Sequence, residues 1–420
     1  MRIVKRLIFI AAVSLLSVRL SALDLNGCVK MAVANSHALK SADLRINSAA
    51  SGYESGRRSR FPVLAVTGED GYNRYQRDAG LRDGLAGQLG VEFSWDTKKA
   101  LSGYQELSRL ELEKARLLRE LSEKDIVRAV TRDYYELYIL LGKRADYREA
   151  RDYFSSHIED IAKLEAAGLD VKLDRVRAEI QLRSLELTAR ELETDIAGVL
   201  KALSSAAGAE LRAEDIVYEG GSEALVRLPA LDPASVAAST RSADAAGAFS
   251  ARLDRLETSS VFEAYRQSKF VYAPTLQLGV SRNLDIDPAT QLYRTFVLVS
   301  LDVFDFGARA EEGKSLLHDY EARKEAELEG QKQLRLELSR LTAEIDSAAV
   351  SYAGLKNNYE AAAGNLETAK LYYTKGKIKE TDLLSIFSEY LEAKQQSRDA
   401  LGRYFGKKAE LAYLRAGAEK

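Results

Sequence analysis

The first residues whose spacing suggests chemistry are the Gly-Lys-Ser at 313–315, which could end a phosphate-binding loop. Such a loop needs another glycine five residues before its last glycine, so that backbone N–H groups can surround the phosphates. That position holds Ala308, and Glu311 and Glu312 would bring two carboxylates next to a bound phosphate. The segment therefore favours the start of a helix over a nucleotide site.

Other residue types that carry chemistry are few and far apart. His37, His157 and His318 are isolated, with no cysteine or carboxylate at the spacing of metal ligands, so each is expected to be a solvated or packed helix residue. The single cysteine, Cys28, excludes an intramolecular disulfide and is expected on a buried helix face, with acylation as the alternative. No nucleophile elbow, zinc signature or dinucleotide fingerprint occurs, so we expect no enzyme activity, no metal and no cofactor.

The N-terminus predicts export. Residues 1–22 hold four basic and no acidic residues around a short apolar run at 7–16. This segment is interpreted as a signal peptide, since its apolar run is too short to span a bilayer as a helix. Its removal takes the net charge of the chain from −2 to −6. A negative chain argues against a nucleic-acid partner.

The helices and strands that would hold a functional site are predicted to occur twice, because the sequence contains a duplication. Three landmarks recur with a near-constant offset: Pro62 with Pro274, Asp96 with Asp305, and Gly168 with Gly376. The expected first repeat is 23–206, with a helix at about 25–59, a strand pair at about 62–96 and long helices at about 98–206. A connector at 207–231 precedes the second repeat.

The second repeat, 232–420, is expected to contain the same elements in the same order. Its helix is expected at about 232–270, its strand pair at about 273–305 and its long helices at about 306–416. The stretches 75–84 and 283–292 are polar and are interpreted as the hairpin loops.

Period-two alternation of apolar and polar residues predicts half-buried strands in both halves. The apolar face of the last strand of each pair carries Leu89, Val91, Phe93, Val297, Val299 and Leu301. These faces are expected to point outward into lipid, or, as the alternative, to pack inside a soluble sheet.

Both long helical runs lack proline and place apolar residues at heptad-like steps, among them Val130, Leu137, Leu341 and Ile345. This pattern is typical of coiled-coil seams. Glycine is expected to end the first long helix of each half, after which a second long helix returns.

Four strands do not close a membrane barrel, because single-chain barrels begin at about eight strands. Left open, the strands would expose unpaired edges. Three copies would supply twelve strands and enough long helices for a second, helical cylinder. We therefore expect a homotrimer.

The order and duplication of these segments resemble the outer-membrane efflux protein family, the TolC-like channels. The resemblance covers the chain after its signal segment and rests on "LDLNGCVKMAVANS", "RFPVLAVTG", "YAPTLQLGV", "SLDVFDFGARAEEG" and "YYTKGKIKETDLLSIFSEYLEAKQQ". It implies an α+β membrane protein in which four strands per chain contribute to a trimeric 12-stranded β-barrel, continued by an α-helical coiled-coil tunnel. The location implied is the cell outer membrane, with the helical part in the periplasm.

The same resemblance implies the exit duct of a tripartite efflux or type I secretion system. The implied partners are two further copies of the chain, a periplasmic adaptor (membrane fusion) protein, an inner-membrane pump or ABC transporter, and outer-membrane lipid. The alternative is a periplasmic coiled-coil scaffold without a pore, which would stay soluble without detergent.

Matching by position from the turn glycines gives the implied site residues. Asp174, Tyr373 and Asp382 match the periplasmic gate of the family, and Gly168, Leu169, Gly376 and Lys377 match its adaptor-contact tips. Two positions depart from the family, because Ser385 stands at the second gate aspartate and Ile378 at the gate arginine. The alternative role for Asp174 and Asp382 is that of helix N-caps.

Overall fold

The structure is a computed structural model that describes residues 23–77, 80–96, 104–168, 171–218, 228–229, 248–270, 273–284, 293–301 and 305–415. Within the strands, side chains are described except at 69–77, 80–89, 96, 281–284 and 293–294. The expected signal peptide, Leu169 and part of the expected connector lie outside the described residues.

The described elements follow the same order in both halves. The first half contains α1 (Leu25–Asn35), α2 (His37–Arg58), β1 (Val63–Arg77), β2 (Gly80–Asp96), α3 (Tyr104–Ala166) and α4 (Lys172–Ala207). The second half contains α5 (Phe249–Ser268), β3 (Thr275–Leu284), β4 (Tyr293–Ser300), α6 (Ala308–Thr374) and α7 (Glu380–Arg415). A short 3₁₀ turn, Ala213–Asp215, lies between the halves.

The helix expected at about 25–59 is broken at Ser36, where the backbone is extended. The Ser36 hydroxyl accepts a hydrogen bond from the N–H of Leu39 at 3.2 Å, and so satisfies a donor that the start of α2 leaves free. Asp24 caps α1 in the same way by accepting from the N–H of Gly27 at 2.8 Å. Cys28 is buried in α1, as the sequence predicts.

The first hairpin is longer than the alternation indicates. β1 and β2 pair without a break from Val63↔Ser94 to Arg77↔Gly80, through most of the stretch interpreted as a loop. Strand pairing rests on backbone hydrogen bonds, so polar residues on both faces do not prevent it. The period-two pattern therefore marks only the part of the hairpin that has an apolar face.

The four strands form one antiparallel sheet in the order β1-β2-β3-β4. Among the described strands, β1 and β4 pair on one side only, so the sheet is open. Residues that lie directly opposite each other on neighbouring strands form mainly apolar rows on one face of the sheet. Two complete rows are Val66–Val91–Val280–Thr295 and Leu64–Phe93–Leu278–Val297, and a third contains Trp95–Leu276–Val299.

The opposite face of the sheet carries small and polar residues, including Ala65, Glu92 and Gly279. Phe296 on β4 is the direct partner of Gly279 on β3. A Cβ added at Gly279 would lie 2.3 Å from Cζ of Phe296, so the ring occupies the space of the missing side chain. Glycine is required here by this close approach.

The connection from the sheet to α6 shows that the Gly-Lys-Ser segment is part of a helix. Gly307 has φ +86°, and the Asp305 carboxylate accepts hydrogen bonds from the N–H groups of Gly307 and Arg309, both at 3.1 Å. These bonds start the helix at Ala308. Residues 313–315 lie within α6, so their N–H groups serve the helix and cannot surround a phosphate.

The chain divides into two compact units, and each draws residues from both halves. The first unit comprises Met1–Leu39, Leu121–Ala248 and Leu334–Lys420, and the second comprises Lys40–Glu120 and Phe249–Gln333. In the second unit, Lys114 of α3 pairs with Glu257 of α5 at 2.8 Å, and Glu257 pairs with Arg323 of α6 at 3.0 Å.

None of the described helices has an apolar stretch long enough to cross a membrane.

In the first unit, α3, α4, α6 and α7 share one apolar core. Its buried members are Ala150, Phe154, Leu185, Leu366, Ala369, Leu383, Phe387 and Leu391. The heptad residues Val130, Leu137, Leu341 and Ile345 are also buried, as the seam pattern predicts. Burial of such apolar side chains stabilises the bundle by roughly 25 cal/mol per Å².

A buried ion cluster joins α3 to α7 in the same unit. The guanidinium of Arg398 donates two hydrogen bonds to Asp146, one of them from Nη2 at 2.8 Å, and the Lys394 ammonium lies 3.0 Å from the same carboxylate. Asp146 and Arg398 are 2% and 0% exposed. A Cβ at Gly142 would lie 2.2 Å from Nη1 of Arg398, so this glycine makes room for the guanidinium.

We expect Asp146→Asn to destabilise the protein by roughly 3–5 kcal/mol, because it removes the carboxylate that the buried Arg398 guanidinium binds, whereas Lys394 keeps Glu149 at 3.0 Å. Arg151→Gln is the matched control, since Arg151 forms a pair with Asp152 at 2.9 Å on the surface of the same helix. The measurement is thermal unfolding followed by circular dichroism in detergent. Equal melting temperatures for the two variants would contradict a structural role for the cluster.

Candidate functional site

Two glycine turns join the long helices of the first unit. Gly376 has φ +68°, its N–H donates to the carbonyl of Tyr373 at 2.8 Å, and the N–H of Lys377 donates to the carbonyl of Tyr372 at 2.9 Å. These two bonds form a Schellman motif, the usual end of a helix at glycine. Gly168 has φ +93° and donates to the carbonyl of Glu165 at 3.0 Å. A Cβ would meet nothing within 4 Å at either glycine, so the positive φ is what requires glycine here.

The two aspartates that the resemblance assigns to a gate lie in the first turns of the returning helices. Asp382 accepts a hydrogen bond from the N–H of Lys379 at 3.3 Å, which ties the first turn of α7 to the residue before it. Asp174 lies in the first turn of α4, and its Oδ1 is 3.6 Å from Nη1 of Arg177. The N-cap of α4 is Val171, so Asp174 does not occupy that position.

Tyr373 lies against a buried carboxylate. Its ring packs on the shared core, and burial, followed by the negative charge of Glu380 and then that of Asp174, raises its pKa above the ordinary value. The phenol therefore stays neutral at physiological pH and keeps its O–H donor. The resemblance assigns Tyr373 and Asp174 to one tie between helices, and in the structure the stronger charge influence on Tyr373 comes from Glu380.

Glu380 in turn pairs with His157, at 2.7 Å between Oε1 and Nε2. Both side chains are buried, and Oε2 of Glu380 has no hydrogen-bond partner among the described residues. The Tyr153 ring stacks on His157 at 5.8 Å, and the Tyr373 ring meets His157 edge-on at 5.4 Å. His157 is thus a packed helix residue, as expected, and its partner is 223 residues away in sequence, too far for spacing to reveal it.

This group, His157, Glu380, Tyr373 and Tyr153, joins α3, α6 and α7 immediately behind the second turn. We call it the turn cluster. A polar group of this kind holds helices in register, because each buried polar atom would lose a partner if the helices slid. Among the described residues, no group of histidines, cysteines and carboxylates could hold a metal ion.

The described residues among those expected at the adaptor-contact tips are exposed. Gly168, Gly376 and Lys377 all lie at the surface, and Nζ of Lys377 is 5.5 Å from the centre of the Tyr372 ring. Leu169 lies outside the described residues.

The apolar sheet face is also exposed. Val297 and Val299 are 65% and 60% exposed, and Val91, Phe93 and Leu301 are exposed as well. The Leu89 side chain lies outside those described, although its backbone pairs with Gly68 and Arg282. This chain alone leaves the face uncovered, which favours a partner or a lipid environment.

A second uncovered apolar surface lies on α4 and was not found from the sequence. It consists of Leu173, Val176, Ile180 and Leu187, all exposed, at helical spacings of three, four and seven residues. The spacing puts them on one side of the helix. The apolar spacing is visible in the sequence, but spacing alone does not distinguish a helix face that is buried within the chain from one that is left exposed.

We expect Glu380→Ala to loosen the turn cluster, because it leaves His157 buried without its partner at a cost of roughly 1–3 kcal/mol. Hydrogen exchange of the backbone amides at 373–383 should become faster, whereas exchange in the middle of α6 should not change. Glu389→Ala, at an exposed site on the same helix, serves as control. Unaltered exchange in Glu380→Ala would show that the pair does not hold the turn.

No protein-family model matches the sequence, and neither does any curated protein. Solved structures do match in fold. The CmeC outer membrane channel of Campylobacter jejuni superimposes with a TM-score of 0.77 at 14% identity, covering 94% of this chain and 85% of that one. The outer membrane protein VceC of Vibrio cholerae gives 0.77 at 16% identity, covering 94% and 96%.

The open state of the MtrE outer membrane channel of Neisseria gonorrhoeae gives a TM-score of 0.74 at 15% identity, covering 94% of this chain and 89% of that one. These likenesses extend over most of the length of both chains in each comparison. The chain therefore has the fold of the TolC-like outer-membrane channels.

Proposed function

We propose that the chain is an outer-membrane channel that serves as the exit duct of a tripartite efflux or type I secretion system. The observation that carries this proposal is the open four-stranded sheet, whose exposed apolar face is joined to long paired helices. A soluble scaffold gains nothing from such a face, whereas a bilayer-spanning strand needs it.

The proposed assembly is a homotrimer in the cell outer membrane. Backbone groups along the free edges of β1 and β4 have no water to bond inside a bilayer, so they must pair with another strand. Three copies supply twelve strands, which is within the range of closed membrane barrels. The uncovered stripe on α4, from Leu173 to Leu187, fits helix packing against a neighbouring copy.

In this assembly the apolar sheet face points to lipid and the helices form a tunnel in the periplasm. We assign Asp174, Tyr373 and Asp382 to the closed end of the tunnel, with the turn cluster behind them. Gly168, Leu169, Gly376 and Lys377 are the proposed contacts of a periplasmic adaptor, which would connect the duct to an inner-membrane pump or ABC transporter.

The experiment that tests this function measures mass and conductance on the same preparation. Detergent-solubilised protein should have the native mass of a trimer, and it should produce single-channel currents in a planar bilayer. A protein that stays soluble without detergent and never conducts would instead be a periplasmic scaffold.

We expect Val299→Arg to impair assembly in membranes, at a cost of about 2–4 kcal/mol if the residue lies near the bilayer midplane. Leu298→Arg is the matched control, because Leu298 is the neighbouring residue, is also exposed, and points to the opposite face of the sheet. The measurement is the yield of trimer in outer membranes. If Leu298→Arg is the more damaging variant, the two faces are assigned the wrong way round.

At the gate, Tyr373→Phe combined with Asp174→Ala should raise single-channel conductance, because both changes remove polar ties at the narrow end. Asp382→Ala should weaken block by multivalent cations, since three carboxylates near one axis attract them. Asp160→Ala is the control, as Asp160 is exposed and paired with Lys163 at 2.8 Å. Currents and block equal to those of the parent would place the gate elsewhere.

A further inference from the structure

We infer that the second glycine turn, residues 375–379, is a docking surface for an acidic protein segment that also presents an apolar side chain. The inference rests on the proposed function for one point only, namely that this turn faces a periplasmic partner. The chemistry of that partner follows from the charges of the turn itself.

Three lysines alternate along the turn at Lys375, Lys377 and Lys379, and all three are exposed. None of them forms an ion pair with a described residue. The ammonium group of Lys377 lies over the face of the Tyr372 ring. The turn therefore presents three positive charges with no counter-charge from the part of the chain that the structure describes.

The carboxylates closest in sequence are already engaged in other contacts. Glu380 is 3% exposed and points to His157 inside the turn cluster. Asp382 accepts the N–H of Lys379 and so caps the helix. Neither carboxylate forms an ion pair with the ammonium group of one of these lysines, so the three ammonium groups are left for a partner.

The first glycine turn shows the opposite arrangement. Most of its cations have carboxylate partners within the chain: Lys163 with Asp160 at 2.8 Å, Arg175 with Glu179 at 3.0 Å and with Glu165 at 3.2 Å, and Arg177 with Asp174 at 3.6 Å. Lys172 is exposed and forms no ion pair with a described residue. The two turns occupy equivalent positions in the two halves, but the first leaves one lysine without an ion pair to a described residue, whereas the second leaves three. Electrostatic recognition is therefore assigned to the second turn.

The backbone that carries the three lysines is held in one conformation by contacts within the chain. The Schellman motif holds the backbone at Gly376, the side chain of Ile378 packs on the shared core, and the Lys379 carbonyl accepts the N–H groups of Asp382 and Leu383 at 3.1 and 3.2 Å. A surface that is ordered before binding loses less entropy on association. Such a surface is suited to a folded partner, such as a helical hairpin with glutamates at its turn.

Two exposed apolar residues, Leu371 and Tyr372, lie one helical turn before the lysines. They give the surface an apolar anchor beside its charges, which favours a protein segment over a purely ionic ligand. An anionic membrane surface would be attracted by the same lysines and is therefore an explicit outcome of the test.

The probe is a synthetic helical hairpin with four glutamates in and next to its turn, compared with the same hairpin carrying glutamines. Binding to the full-length protein in detergent is measured by fluorescence anisotropy at low and high salt. We expect the glutamate hairpin to bind roughly tenfold more tightly at low salt, with the difference lost at high salt. The triple variant Lys375→Glu, Lys377→Glu, Lys379→Glu should lose this preference and prefer a lysine hairpin instead.

The matched control reverses the paired cations of the first turn, as Lys163→Glu with Arg175→Glu, and should leave the preference unchanged. Equal binding of both hairpins would overturn the inference. The inference would also be overturned if phosphatidylglycerol vesicles capture the protein through the three lysines while the protein binds both hairpins equally.

Conductance of the same preparation is recorded in parallel. A protein that fails to conduct but still selects the glutamate hairpin would lose the proposed function and keep the docking surface.

Discussion

Unpaired backbone groups along the edges of an open sheet are the constraint on which the rest of this structure depends. β1 and β4 each leave one side of the strand without a partner among the described strands, and the sheet between them exposes an apolar face. A lone chain in water would pay for both features, since each is a site of aggregation. In the proposed trimer the same two features become the closing seams and the lipid contact.

The helical part combines two kinds of interaction with different roles. Apolar heptad residues such as Leu341 and Ile345 provide attraction between helices, which is weakly directional. The buried polar groups, Asp146 with Arg398 and His157 with Glu380, link α3 to α7 at two levels. Because a buried charge without its partner is costly, two such links fix how far one helix can shift along the other.

Local patterns in the sequence predict the order of elements well. Alternation identifies the apolar sheet face, and heptads identify the apolar seams between helices. The helix that begins at Ala308 is predicted because Ala308, Glu311 and Glu312 favour a helix over a phosphate-binding loop. The break at Ser36 and the pairs between distant polar residues escape such reasoning. His157 and Glu380 are 223 residues apart and Asp146 and Arg398 are 252 apart, and a polar residue in a helical pattern is normally assigned to the surface.

The contact of Phe296 with Gly279 has a consequence for assembly. A shift of β4 along β3 would bring a residue with a side chain under the aromatic ring, so the ring and the glycine together select one alignment of the two strands. A sheet that closes from identical pieces needs the same stagger in every piece, since errors add around the circumference. In the proposed trimer, one glycine on one strand would therefore fix the stagger of each subunit before the subunits assemble.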